Sequence, residues 1–243
     1  MKILVFDTET TGLPEKNASI YDHAKWPYIV QLSYILYDLS KNHMVIKDNY
    51  IKLSPSIIID PSSLEIHGIN HDFLDTNGVH IITALKEFNE YLDSCDLVIA
   101  HNISFDKRLI FVECLRNKVK QNFTKFVGKD KICKPEYCTM KNTTLFCNII
   151  KLNKSNKSYV KSPSLMELYT TLFPYSPIPK ELHNSLIDIL CTLRCYLKYA
   201  HDIDIIHSSE KFNKLFSDFF IEDASFLRIQ NIQLGCSLPL PED

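Results

Sequence analysis

The chain has 243 residues, is 45% hydrophobic and carries a formal net charge of −2. That length suits one α/β domain, and the composition can fill a sizeable core. No apolar run approaches the ~18 residues of a membrane span, and the N-terminus enters an acid-tipped strand rather than a signal peptide. A cytoplasmic protein is therefore expected, with the nucleus as the alternative and no membrane partner.

Ile3-Leu4-Val5-Phe6 is a compact apolar run and reads as a buried strand over residues 2–7. It ends in Asp7-Thr8-Glu9. Residues i and i+2 of a strand share a face, so two carboxylates project side by side. Like charges that close repel unless a proton or a cation sits between them. Hard oxygen ligands suit Mg²⁺ or Mn²⁺. A plain polar turn at Thr10-Thr11-Gly12-Leu13-Pro14 is the competing reading.

Residues 14–27 read as a loop holding the single tryptophan, Trp26. Residues 29–37 and 43–53 read as two further strands joined by Ser40-Lys41-Asn42, which gives an initial three-stranded antiparallel meander. Pro61 opens a short helix that Ser62 or Ser63 can cap. Residues 80–94 place Ile81, Leu85, Phe88, Tyr91 and Leu92 at helical spacing. Leu97-Val98-Ile99-Ala100 is a second buried strand. Asn102 or Ser104 opens the next helix, and Asp106 lies in its first turn, where the helix dipole favours an acid.

From Lys107 to Lys161 there are 14 Lys and Arg against three acids, Glu113, Asp130 and Glu136. Residues 117–135 and 151–162 are polar and lysine-rich and read as exposed loops. Tyr137-Cys138-Thr139 reads as a short strand followed by a helix to about Ile150. Pro163 opens a helix that ends at Pro174, residues 182–200 form a long helix with the stripe Leu186, Leu190, Leu193 and Leu197, and residues 208–220 form one more. The basic stretch fits a polyanionic substrate or a solvated surface. Cys133-x4-Cys138 and Cys191-x3-Cys195 lack a partner Cys-x2-Cys pair, so no structural zinc is expected. The order of elements implies an α/β mixed sheet flanked by helices.

His183 and Asp188 lie near the start of the long helix. Asp188 falls among Leu186, Ile187, Ile189 and Leu190, where an unpaired acid is costly to bury, and that favours a metal partner.

Three segments together resemble the motifs of the DEDDh (DnaQ-like) 3′→5′ exonuclease family. They are Asp7-Thr8-Glu9-Thr10-Thr11-Gly12-Leu13, His101-Asn102-Ile103-Ser104-Phe105-Asp106 and His183-Asn184-Ser185-Leu186-Ile187-Asp188. Pro61 to Leu74, with Ile66-His67-Gly68-Ile69, is similar to the stretch between the first two motifs in the proofreading subunit of bacterial DNA polymerase III. The resemblance covers about residues 1–200 and leaves 201–243 as a C-terminal helical extension packed on, or trailing, the same domain.

The resemblance implies an RNase H-like fold and a metal-dependent 3′→5′ exonuclease. The implied activity is release of nucleoside 5′-monophosphates from single-stranded or frayed 3′ ends, with DNA favoured over RNA. It implies that Asp7, Glu9, Asp106 and Asp188 bind two divalent cations, Mg²⁺ or Mn²⁺, and that His183 is the general base. Thr10, Leu13, His67 and Phe105 are the implied pocket for the terminal nucleotides. A DNA polymerase or repair complex is the implied partner. The competing functions are an exoribonuclease that trims RNA 3′ ends and a non-catalytic nucleic-acid-binding or polymerase-tethering module.

Overall fold

The structure is a computed structural model, and it describes residues 1–178 and 183–219. Five strands form one mixed sheet. β1 (Lys2–Thr10), β2 (Ile29–Asp38) and β3 (His43–Tyr50) make the antiparallel meander. β4 (Leu97–Ala100) and β7 (Glu136–Cys138) extend it in parallel, in the order β3-β2-β1-β4-β7. β1 runs past Asp7 to Thr10 because Glu9 still pairs with Gln31; a register shift follows between Glu9 and Thr10.

Alternation along β1 divides the sheet into two chemically distinct faces. Leu4 and Phe6 pack on one side with Leu85 and Phe88 of α3 (Ile81–Ser94) and with Leu109 and Val112 of α4 (Ile103–Arg116). Ile3 and Val5 pack on the other side beneath α8 (Ser185–His201) and α7 (Leu165–Leu172). Asp7 and Glu9 continue the α8 face, whereas Thr8 continues the α4 face.

Several elements differ from expectation. The helix at Pro61 is α1 (Pro61–His67), capped by Asp60, whose carboxylate accepts the Ser62 amide, rather than by Ser62 or Ser63. A further helix, α2 (His71–Asn77), follows, with the Asn70 side chain accepting the Phe73 amide. The expected loop 117–135 contains a hairpin of β5 (Thr124–Val127) and β6 (Asp130–Cys133), turned at Gly128 with φ of +63°. The expected helix to Ile150 is two single turns, α5 (Thr139–Asn142) and α6 (Thr144–Cys147). Asn148 adopts φ of +46°, which ends α6. The expected loop 151–162 belongs to a second hairpin, β8 (Ile149–Leu152) with β9 (Ser158–Lys161). These hairpins have only four residues per strand, and short exposed strands carry little periodic signal.

α7 starts at a capping box. The Ser164 hydroxyl accepts the Glu167 amide, and the Glu167 carboxylate accepts the Ser164 amide. α8 is buried on nearly all sides, because α7 and the helices after it cover what the sheet does not. α9 (Ile205–Ser208) and α10 (Glu210–Asp218) stand where one helix over 208–220 was expected. They bury Ile205, Phe212 and Phe216 in the same core as α8. Arg194 on α8 is almost fully buried and ties this layer together. It bonds both carboxylate oxygens of Asp204 at 2.9 and 2.8 Å, donates to the Tyr169 hydroxyl, and stacks 3.9 Å from the Phe173 ring. The rest of the extension, 220–243, and residue 182 lie outside the described residues. Among the described residues no helix is long and apolar enough to cross a membrane.

Candidate active site

The parallel strands β1, β4 and β7 end at one edge of the sheet, and the acidic residues gather there. Asp7 and Glu9 reach it from β1. Asp188 reaches it from the first turn of α8, on the face that α8 shares with them. One carboxylate oxygen from each of the three lies within 4.8 Å of the others. Oδ1 of Asp188 is buried and has no hydrogen-bond partner among the described residues. A buried acceptor without a donor, beside two more carboxylates, is a donor set that suits a hard divalent cation.

Asp106 arrives from the opposite face, in the first turn of α4, and is buried. The Thr8 hydroxyl donates to its Oδ1 at 2.8 Å, so the side chain is aimed by the residue between Asp7 and Glu9. It stands apart from the three-carboxylate group yet close enough for its charge to act on Asp7 and Glu9.

Every carboxyl here is pushed up by burial. Glu9 rises to about 9, with the charges of Asp188 and Asp106 adding to the effect. Asp188 rises to about 7, helped by Asp106. Asp106 also rises to about 7, although the Thr8 hydroxyl opposes the shift. Asp7 stands well above the usual carboxylate range, through burial and then the charges of Asp106, Asp188 and Glu9. Such a cluster holds protons at neutral pH unless cations replace them.

A buried polar network fixes the start of α8 over this edge. Gln31, the strand partner of Glu9, accepts the Ser185 amide at 3.2 Å through Oε1. Its Nε2 donates to Asp48 at 2.8 Å and to the side chain of Asn184 at 3.2 Å. Ser33, the strand partner of Asp7, donates to Asp48 at 2.7 Å and meets the Ser185 hydroxyl. Asn184 is the N-cap of α8, accepting the Leu186 amide. His183 precedes the cap, exposed and with φ of +72°. Its ring has no hydrogen-bond partner among the described residues.

The other sequence-derived residues lie on separate elements: Thr10 ends β1 and Leu13 follows it, His67 closes α1, and Phe105 stands in the first turn of α4. Thr10 is buried and donates to the Gly12 carbonyl at 2.7 Å. Both ring nitrogens of His67 are engaged: Nε2 with the Thr10 carbonyl at 3.2 Å, and Nδ1 with the Ile69 amide at 3.0 Å. His67 therefore braces the turn, and burial holds its pKa down. Leu13 is 82% exposed at the rim of an open cleft of about 670 Å³ lined by Thr11, Trp26, Tyr28 and Asp60. Phe105 is half-buried against the α3–α4 core. Sequence reasoning missed Gln31, Ser33 and Asp48. Polar residues alternating within the apolar strand 29–37 were the available signal for the first two.

The sequence profile of the exonuclease family RNase_T matches residues 4–196. The chain belongs to this exonuclease family. Among curated relatives of this exonuclease, the DNA polymerase III subunit epsilon of Buchnera aphidicola subsp. Schizaphis graminum is 29% identical over 161 residues, covering 64% of this chain and 66% of the relative. The same subunit of Salmonella typhimurium is 23% identical over 195 residues, covering 80% of this chain and 69% of the relative. The chain thus spans about two thirds of these relatives' length. Exonuclease I of E. coli, solved with a dT13 oligonucleotide, superposes with a TM-score of 0.57 at 14% identity over 81% of this chain and 41% of that one. That likeness establishes the fold: an RNase H-like mixed sheet flanked by helices.

Proposed function

We propose that this exonuclease family member is a divalent-metal-dependent 3′→5′ exonuclease that hydrolyses single-stranded or frayed 3′ ends, DNA in preference to RNA, one nucleoside 5′-monophosphate at a time. The observation that carries the reading is the three-carboxylate group with its partnerless Asp188 oxygen, beside an Asp106 aimed by Thr8. In this reading Asp7, Glu9 and Asp188 would hold one Mg²⁺ or Mn²⁺, and Asp7 with Asp106 would hold a second. When bound, the ions neutralise charge on the attacking and leaving oxygens of an in-line displacement. His183 takes the proton of the attacking water, a role that its exposed ring suits. The 3′ oxygen leaves as the new P–O bond forms. Leu13 and Phe105 flank the terminal nucleotides, while Thr10, braced by His67, shapes the turn beneath them.

The similarity to polymerase III epsilon subunits supports a DNA polymerase or repair complex as partner and the cytoplasm as location. The exonuclease unit is taken as residues 1–200, with 201–243 as its C-terminal extension.

Digestion of matched 3′-labelled DNA and RNA oligonucleotides in Mg²⁺ or Mn²⁺ tests the reading. Stepwise monophosphate release, abolished by His183→Ala and faster on DNA, is the expected result. Failure to digest either, with metal binding intact, would sink it and leave a tethering module.

A further inference from the structure

The two lysine-rich hairpins have similar compositions but occupy opposite ends of the sheet. β5–β6 precedes β7 and sits at the end where β4 begins. Lys125 pairs there with Asp93 of α3 at 2.7 Å, and Lys134 donates to the Cys95 carbonyl at 2.7 Å. β8–β9 follows β7 and is rooted at the carboxyl ends of the parallel strands, where the acids gather. Its base is tied to the second motif. Nε2 of His101, the residue after β4, donates to the Pro163 carbonyl at 3.1 Å, while Nδ1 meets the Thr139 hydroxyl at 3.0 Å. Thr144 donates to the Ser162 hydroxyl at 3.2 Å.

The hairpin at the acidic edge carries positive charge and an exposed aromatic ring. Residues 149–163 contain Lys151, Lys154, Lys157 and Lys161 and no acid. Lys161 is tied to Glu167 at 2.6 Å. The other three are exposed, and among the described residues they enter no ion pair. The register sets Lys151 directly opposite Tyr159, so a cation and a 47% exposed ring lie side by side on one face. Ile150 and Val160 pair on the other face. Cations beside an exposed ring are the elements of a single-strand track: lysines neutralise phosphates, and the ring stacks on a base whatever its identity.

We propose that the β8–β9 hairpin is a guide for the single-stranded nucleic acid upstream of the scissile end, with Tyr159 stacking on a base and Lys151, Lys154 and Lys157 contacting phosphates. The inference rests on the exonuclease reading. It gives the two basic segments different roles, since β5–β6 lies at the wrong end to hold the same strand. The root through His101 couples the guide to the motif that presents Asp106, so the strand enters in fixed relation to the acids.

The test compares wild type with a Lys151→Ser, Lys154→Ser, Lys157→Ser, Tyr159→Ala variant and with a Lys129→Ser, Lys131→Ser variant of the other hairpin. The substrates are a 20-nucleotide single-stranded DNA and the p-nitrophenyl ester of thymidine 5′-monophosphate, the latter too short to reach either hairpin. Each lost phosphate contact flattens the log–log salt slope by ~0.7, so losing three shrinks the wild-type fall in kcat/KM between 50 and 200 mM salt by roughly 20-fold. The β8–β9 variant should show that flattening and a reduced ratio of oligonucleotide to ester rates, and the β5–β6 variant should not. Wild-type slope and ratio in the β8–β9 variant would overturn the guide. Inactivity of the wild type on the ester and the oligonucleotide alike would be a failure of the exonuclease reading instead. Fluorescence anisotropy of the labelled oligonucleotide in Ca²⁺ would then decide the guide by itself: weaker binding by the β8–β9 variant alone sustains it, and equal binding refutes it.

Discussion

Gln31 receives the backbone amide of Ser185 at 3.2 Å, so a residue paired with Glu9 on the sheet also anchors the first turn of the helix that delivers Asp188. The same side chain reaches Asp48 and Asn184, and Gln31, Ser33 and Ser185 are all fully buried. The acids depend on the sheet for two of their number and on α8 for a third, and this network holds the two supports in register.

Replacing Gln31 with Ala strands the buried Ser185 amide, whereas Asp48 keeps the Ser33 hydroxyl and Asn184 keeps the Leu186 amide as donors. A buried donor left without an acceptor carries a penalty of about 1–3 kcal/mol. Urea denaturation should therefore show a loss of that order. A shift of ~1 Å in α8 is expected to lower kcat by roughly 10- to 100-fold. KM should change little, because the strand-binding surface lies elsewhere. A variant with reduced stability and unchanged kcat would show that the network supports the fold and not the alignment of Asp188.

The carboxylate edge makes stability depend on metal and pH together. Burial raises Glu9 to about 9 and Asp106 and Asp188 to about 7, so the metal-free folded state binds more protons than the unfolded chain above about pH 4. Their contribution to metal-free stability is thus complete below that pH and is lost as pH rises toward 9. In the proposed reading a divalent cation would replace those protons. The rise in Tm on adding 10 mM Mg²⁺ to EDTA-treated protein should be larger at pH 8 than at pH 5, where protons compete. Asp188→Asn should raise the metal-free Tm at pH 8 and shrink the metal-dependent gain. An equal gain at both pH values, or in the variant, would contradict the assignment.

The sequence revealed what strand alternation could reveal. Asp7 and Glu9 fall on one face because they are two apart, and Asp188 stood out because it interrupts an apolar helix. The partner of Asp106 was hidden in the same logic: Thr8 lies between the two acids and must point to the α4 face. Asp48 was not legible, because an acid on an edge strand reads as a surface residue until Gln31 and Ser33 are placed beside it. The hairpins at 124–133 and 149–161 escaped because four-residue exposed strands with interspersed lysines have no buried face to impose a pattern. Asp60 was passed over as a cap in favour of Ser62 because the sequence places several capping residues next to one proline, and only the backbone decides among them.

His101 should give the fold an acid-sensitive step. Burial lowers its pKa to about 4, and it is held neutral between the Thr139 hydroxyl and the Pro163 carbonyl. A folded pKa below the unfolded value of about 6.5 means that stability from this group is complete above pH 6.5 and is lost as pH falls toward 4. The loss is of order 2–3 kcal/mol. Denaturation midpoints measured from pH 7 to 4 should fall in wild type and fall less in His101→Gln, which can still donate to the Pro163 carbonyl. Parallel slopes would mean that His101 is not the group responsible.

Arg194 and Asp204 join α8 to the start of α9, with the guanidinium almost fully buried between Tyr169, Phe173 and Phe216. Removing one partner leaves a buried charge uncompensated, which typically costs about 3–5 kcal/mol. Arg194→Ala should lose stability in that range, and Asp204→Ala should approach it because the cation then stays buried alone. Arg194→Met, which keeps much of the volume and removes the charge, should be milder, and it should rescue Asp204→Ala when the two are combined. Thermal denaturation of the four proteins against wild type gives the coupling between the sites. Additive losses would show that the guanidinium acts through its packing against the rings and that the ion pair contributes nothing of its own.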